Sequence, residues 1–164
     1  MSPNVFEPDF ERHERLGFTY RRARIGRHAA TERLGASLYE IPPGQATFPS
    51  HWHSANEELM IVLEGRPSLR TPEGWRELEP GEVVSFPRGP DGAHQLHNRS
   101  EATARLLIVS EMNAPEVCGY PDSGKLSAAT RPPGSPEDPE EVFGFFPREA
   151  EVDYWHGEPG PQET

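Results

Sequence analysis

The chain has 164 residues, a size for one domain with extensions, and 34% apolar content with 19 Pro and 15 Gly points to a turn-rich fold with loose ends. Its 27 acidic against 16 basic residues give a net charge of −11, which argues against nucleic acid or an anionic membrane as a partner. The single cysteine, Cys118, excludes an intrachain disulfide, and the longest apolar run, 59–63, is too short to span a membrane, so a cytoplasmic protein is expected.

Residues 1–16 are polar and charged and lack the apolar stretch of a signal peptide, so they read as an arm. The pattern FTYRRARI over 18–25 permits a strand, and its arginines make it an exposed edge, a surface on which a homodimer could pair. Residues 1–30 are therefore expected to form an N-terminal arm and edge strand. Helix signals are scarce: no window of twelve residues shows an apolar 3.6-residue repeat bounded by caps.

Strand signals are dense from 31 to 112. Residues 34–41, 46–53, 59–64, 67–71, 75–78, 83–86, 95–98 and 104–112 each read as a short strand, separated by turns such as Pro42-Pro43-Gly44, Pro72-Glu73-Gly74 and Pro80-Gly81. Short strands at this spacing predict an all-β sandwich or barrel, with Met60, Val62, Phe86, Leu96 and Leu107 in its core. Beyond 112 the composition turns to Pro, Gly, Ser and charge. Residues 113–164 are expected to be loop and acidic tail, mobile over 126–141. The aromatics of the tail, Phe143, Phe145, Phe146, Tyr154 and Trp155, are expected to dock on the barrel, because exposing them costs roughly 25 cal/mol per Å².

One stretch carries chemistry: Gly44-QATFPS-His51-Trp-His53-SANE-Glu58-LMIVLE-Gly65. Two residues apart on an extended run, the rings of His51 and His53 leave the same face of a strand, with Trp52 on the other. Glu58 opens the next strand and faces the histidines if the two strands form a hairpin. The second half offers Gly81-EVVSF-Pro87-Arg-Gly89-PDGA-His94-QLH-Asn98, whose alternation puts His94, Leu96 and Asn98 on one face and Gln95 and His97 on the other. If the first face is the interior, His94 joins the set. Three imidazoles and a carboxylate suit one divalent transition metal: Fe, Mn, Ni, Co or Zn.

These two stretches resemble the paired motifs of the cupin superfamily, G-x5-HxH-x3-4-E-x6-G and G-x5-PxG-x2-H-x3-N. The first has one extra residue between Gly44 and His51; the second has four residues in place of two between Gly89 and His94, which leaves His97 as a competitor. The six residues to Gly65 select Glu58 over Glu57. The resemblance implies a cupin-type double-stranded β-helix (jelly-roll) barrel over 31–112, with His51, His53, Glu58 and His94 as metal ligands. The whole sequence, including Tyr120-Pro-Asp-Ser-Gly-Lys125 and Tyr154-Trp155, is similar to small stand-alone bacterial cupins of no assigned activity.

Cupin folds host many functions, so fold alone does not assign one. The expected function is a metal-dependent enzyme acting on a small carboxylate, enol or sugar-like substrate inside the barrel; the alternative is a non-catalytic sugar-binding module with a structural or ligand-orienting metal. No separate acid or base stands out. Tyr39, Tyr120 and Arg88 are candidates by type only, and Lys125, the one lysine, reads as a solvated loop residue. His13, His28 and His156 read as non-ligands, and Asn98 as a structural hydrogen-bonding residue.

Overall fold

The computed structural model describes residues 3–132 and 140–161. In chain order its elements are β1 (Glu11–Arg15), β2 (Phe18–Ala23), α1 (Ile25–His28), β3 (Leu34–Ile41), β4 (Trp52–His53), β5 (Glu58–Glu64), β6 (Ser68–Thr71), β7 (Gly74–Glu77), β8 (Val83–Phe86), β9 (Gln95–His97), β10 (Ala104–Glu111), β11 (Glu116–Tyr120), β12 (Lys125–Ala129) and β13 (Phe143–Pro147). Short alternating segments separated by Gly and Pro turns can bury only one face each, and they do so here by packing sheet on sheet.

One wall is a six-stranded antiparallel sheet in the order β1-β2-β3-β10-β5-β8. The other wall combines β13-β12-β11-β4 with β7-β6-β9. The bridges Ala46–His97 and His51–His94 join these two smaller sheets along the run 46–53, so only Trp52 and His53 of that expected strand form a regular ladder. The result is the all-β jelly roll that the turn spacing and paired motifs implied.

The core lies between the walls. Ile41, Met60, Val62, Leu69, Leu78, Leu96 and Leu106 are almost wholly buried, each worth about 1.5–3 kcal/mol on burial. On β10 the inward positions are Ala104, Leu106 and Ile108, while Leu107 sits half-exposed on the opposite face. Leu107 is thus not a core residue: the period-2 pleat of a strand that alternates Ala, Leu and Ile with Arg, Leu and Val leaves its phase ambiguous in sequence. Asn98 is fully buried and structural: its amide donates to the carbonyls of Ile41 and Ala102 at 2.7 Å, and its oxygen accepts from the Ser100 amide and hydroxyl.

On the outer face of the six-stranded sheet, Arg21, Glu40 and Arg105 stand in register on β2, β3 and β10. Arg21 donates to the Glu40 carboxylate at 2.8 Å and Arg105 at 2.6 Å, with the Phe10 ring beside both guanidinium groups. This charge-assisted ladder supports the strands that carry the interior.

The ends of the chain differ from expectation. The arm contributes β1, which pairs with β2 and takes over the sheet edge expected at 18–25. The expected loop after 112 forms the hairpin β11–β12, continued by β13. The expected mobile segment 126–141 includes β12, and its residues 133–139 lie outside the described residues. Phe143, Phe145 and Phe146 remain 50–59% exposed on edge strand β13, and Tyr154 and Trp155 pack on each other rather than on the barrel. Backbone pairing, not burial of aromatic surface, joins this segment to the sheet.

β11 approaches β4 so closely that a Cβ on Gly119 would lie 2.1 Å from the Trp52 ring. Gly119→Ala should therefore cost about 1–3 kcal/mol by overpacking. Gly160→Ala, with nothing within 4 Å, should leave the melting temperature unchanged in the same calorimetric comparison.

Candidate metal centre

The extended run 49–53 aims His51 and His53 into the barrel, with ring centroids 5.1 Å apart. Glu58 meets them from the other wall: β4 pairs with β11, not with β5, so the expected hairpin does not form. The carboxylate instead crosses the interior, its Oε2 3.6 Å from His53 Nε2 and 3.4 Å from His94 Nε2. One donor atom from each of His51, His53 and Glu58 lies within 4.8 Å of the others. His94 pairs with His51 through backbone hydrogen bonds of 2.9 and 3.2 Å, and their rings are 4.8 Å apart.

The two extra residues before His94 are absorbed by a 3-10 turn, Pro90–Gly92. Gly89 opens it at positive φ, and its amide donates to His53 O at 2.7 Å. Gly92 folds so tightly onto Pro87 that a Cβ there would meet the Pro87 carbonyl oxygen at 1.8 Å. His94 is then held against Phe86, ring centroids 3.8 Å apart and nearly parallel.

Each imidazole is oriented through Nδ1. His51 Nδ1 lies 3.0 Å from Pro49 O and His94 Nδ1 2.9 Å from Gly92 O. A carbonyl only accepts, so both Nδ1 atoms carry the proton and both Nε2 lone pairs are free to ligate. His53 Nδ1 faces the Glu116 carboxylate at 3.5 Å and Cys118 Sγ at 3.3 Å, leaving its Nε2 toward Glu58. Backbone carbonyls and a carboxylate behind ligand imidazoles are the outer partners that metal sites use to fix ring and tautomer.

Glu116, Cys118 and His53 form a second cluster of potential donor atoms. The Glu116 carboxylate is already engaged: it accepts from the Ser54 amide and hydroxyl, the Ala55 amide and the Asn56 side chain. That saturation suits an orienting group better than a ligand. The set His51, His53, Glu58 and His94 keeps its donor atoms uncommitted to backbone, and it fits a divalent metal.

The barrel portion, residues 37–110, matches the family described as the cupin domain. Residues 37–110 are a cupin domain. Among solved structures the chain is similar to a sugar phosphate isomerase of the cupin superfamily from Silicibacter pomeroyi, at 25% identity over 80% of this chain and 78% of that chain, TM-score 0.70. It is also similar to a protein provisionally named a sugar phosphate isomerase from Acidithiobacillus ferrooxidans, at 21% identity over 91% of both chains, TM-score 0.77. A third, named as a predicted oxalate decarboxylase from Thermotoga maritima, is 17% identical over 68% of this chain and 98% of that chain, TM-score 0.58. Comparison with curated protein sequences finds no match.

Within this cupin domain, Glu57 is exposed and outside the cluster, as the spacing to Gly65 implied. His97 lies outside the cluster, its Nε2 3.3 Å from Gly44 O and its ring beside Trp75. Tyr39 is buried and lines the same cavity as His53 and Glu58, whereas Arg88 is exposed. Tyr120 stacks on His51 at 6.1 Å, and Lys125 lies over the Tyr120 ring on β12 rather than in a loop. Glu116 and Asn56 were not legible in the sequence; the only signal was the alternation in EVCGY, which puts Glu116, Cys118 and Tyr120 on one face.

The imidazoles are electrostatically unequal. Burial, with the neighbouring His94 and His53, pushes His51 down to about 3, and burial also lowers His94. For His53 burial is outweighed by hydrogen bonds to Cys118 and Glu116 and by the charge of Glu58, which raise it to about 10. Burial would raise Glu116, but His53, the Ala55 amide and Asn56 bring it down to about 2.

In the metal-free protein His53 is therefore an imidazolium between Glu58 and Glu116 at neutral pH, and metal must displace its Nε2 proton. Its raised pKa gives stability that is full below the unfolded value near 6.5 and lost as pH rises toward about 10. The lowered Glu116 gives stability present above about 4.5 and lost as pH falls toward about 2. Imidazole ¹⁵N chemical shifts should show His53 protonated at pH 7.5 in metal-free protein, and its titration should move to lower pH in Glu116→Gln. Wild-type metal uptake at that pH should release about one proton, read from the buffer dependence of the binding enthalpy.

Proposed function

We propose that this cupin-domain protein is a metal-dependent enzyme whose substrate is a small sugar-like carbonyl or carboxylate compound bound inside the barrel. The observation that carries this reading is the convergence of three Nδ1-anchored imidazoles and Glu58, with His53 and Glu58 lining a cavity of ≈ 420 Å³. That volume lies within the range that holds a small organic molecule. The name of the 25% identical relative from Silicibacter pomeroyi supports a substrate of sugar type.

A divalent metal held by His51, His53, Glu58 and His94 would supply Lewis-acid polarisation of a substrate oxygen. The remaining work falls to the chain. Tyr39 is a protein acid on the same cavity wall as Arg22 and Ser37, and burial raises its pKa, so it keeps its proton at neutral pH. It can donate a hydrogen bond to a substrate oxygen in the cavity and hold the proton there. Met60, Phe86 and Ile108 pack around the site and exclude bulk water, which strengthens each polar contact inside.

Single replacements test the ligand assignment by metal content. His53→Ala and Glu58→Ala should lower affinity at least tenfold, on the order seen even for outer partners. Glu57→Ala and His97→Ala should retain metal. Depletion by Glu57→Ala with retention by Glu58→Ala would overturn the assignment. On a panel of sugar-like aldoses, ketoses and hydroxy acids, Tyr39→Phe should keep full metal content while losing about 10²–10⁴-fold in turnover. Turnover unchanged in that variant would remove Tyr39 from the reaction, and no turnover of the panel by metal-loaded wild type would count for a binding module.

A further inference from the structure

The cavity that reaches His53 and Glu58 has a second, chemically distinct end. It is lined there by Arg22 from β2, Arg24 just before α1, and Arg27 within α1. Arg22 and Arg24 are two apart on extended chain, and the helical turn brings Arg27 to the same wall. In a protein of net charge −11, three guanidinium groups around one cavity run against the overall composition.

Arg12, Arg21, Arg66, Arg70, Arg76, Arg105 and Arg131 each form an ion pair. Among the described residues, Arg22, Arg24 and Arg27 form none within 4.0 Å. Like Arg15, Arg33, Arg88, Arg99 and Arg148 they have no carboxylate within ion-pair distance, but they alone of these line the cavity. The Nε of Arg22 is buried with no hydrogen-bond partner. A buried guanidinium donor without an acceptor is costly, and a bound acceptor would recover that cost. Arg24 is held below its usual value by burial and by the charge of Arg22, a further sign of uncompensated positive potential. Acidic groups are nearby but not paired to them: Glu32 on the cavity wall, and Asp9 and Glu11 on the outer side of the same arginines.

We infer that this end of the cavity binds the phosphate of a small phosphorylated substrate, with Arg22, Arg24 and Arg27 donating to its oxygens while the unphosphorylated end reaches His53 and Glu58. A phosphate monoester brings about −1.5 to −2 charges and three strong acceptor oxygens, which suits several planar guanidinium donors better than a single carboxylate does. The inference deepens the metal-dependent reading and rests on it for the reactive end alone. Arg22 and Tyr39 line the same cavity, so the anion would sit close to the proposed acid.

The test uses the full chain, metal-loaded and metal-free, with inorganic phosphate, sulfate and acetate as probes in calorimetric titrations, and with metal content measured in parallel. Phosphate should bind both forms and sulfate should compete with it, whereas acetate should bind at least tenfold more weakly. Arg24→Gln and Arg27→Gln should each weaken phosphate at least tenfold, and the double variant further, with metal content and melting temperature unchanged. Arg22→Lys, which keeps the charge and loses the fork, should weaken phosphate less than Arg22→Gln. Phosphate binding unaltered in the arginine variants, or present only when metal is bound, would overturn the inference while leaving the metal site standing. Acetate binding as tightly as phosphate would overturn it in favour of a carboxylate. Arginine-dependent phosphate binding in a protein that takes up no metal would instead uphold the anion site and remove the metal-dependent reading.

Discussion

The cost of burying charge inside an apolar barrel governs this structure. Glu116 is 4% exposed and His94 similarly enclosed, and an isolated ion in such surroundings is too expensive to keep. Glu116 is retained because the 54–56 turn surrounds it with donors and because His53 stands beside it. That one carboxylate ties β11 to the turn between β4 and β5, and so ties the histidine strand to the segment that follows the barrel. The tail hairpin is consequently part of the site's scaffold, not an appendage to it.

The same constraint explains why the imidazoles are unequal. His51 and His94 are buried with only backbone carbonyls behind them, which fix their tautomer but cannot support a charge. His53 lies between two carboxylates and can. A cation placed among the Nε2 atoms and Glu58 would take over the role that the His53 proton plays in the metal-free protein. The walls on either side then divide the labour: the six-stranded sheet supplies Glu58, Tyr39 and Arg22, and the opposing wall supplies the histidines. A substrate between them touches both.

Much of this was legible in the sequence. The strands over 34–41 and 83–86 match the structure to the residue, and the spacing favoured Glu58 and His94, which lie together, over Glu57 and His97, which lie apart from them. What sequence patterns missed depends on pairing across distance. The histidine strand looked like half of a hairpin with Glu58, because neighbours in sequence usually pair; here the bond goes to β11, more than sixty residues on. Glu116 sat in a segment whose Pro, Gly and charge content signalled a loop, and only its pairing with β12 makes it a strand residue. Leu107 was assigned to the core because a strand alternating aliphatic residues on both faces does not state its phase. The arginines of 21–27 read as an exposed edge, since nothing local separates Arg21, paired with Glu40, from Arg22 and Arg24, which turn into the cavity.

The central claim is that a metal is held by His51, His53, Glu58 and His94 and that Glu116 and Cys118 orient rather than ligate. Anomalous diffraction at the absorption edge of the bound metal, from crystals of the metal-loaded full chain, tests it most directly. The account predicts one peak at roughly 2.0–2.2 Å from the three Nε2 atoms and a Glu58 oxygen. A peak instead on His53 Nδ1, Cys118 Sγ and the Glu116 carboxylate would contradict it.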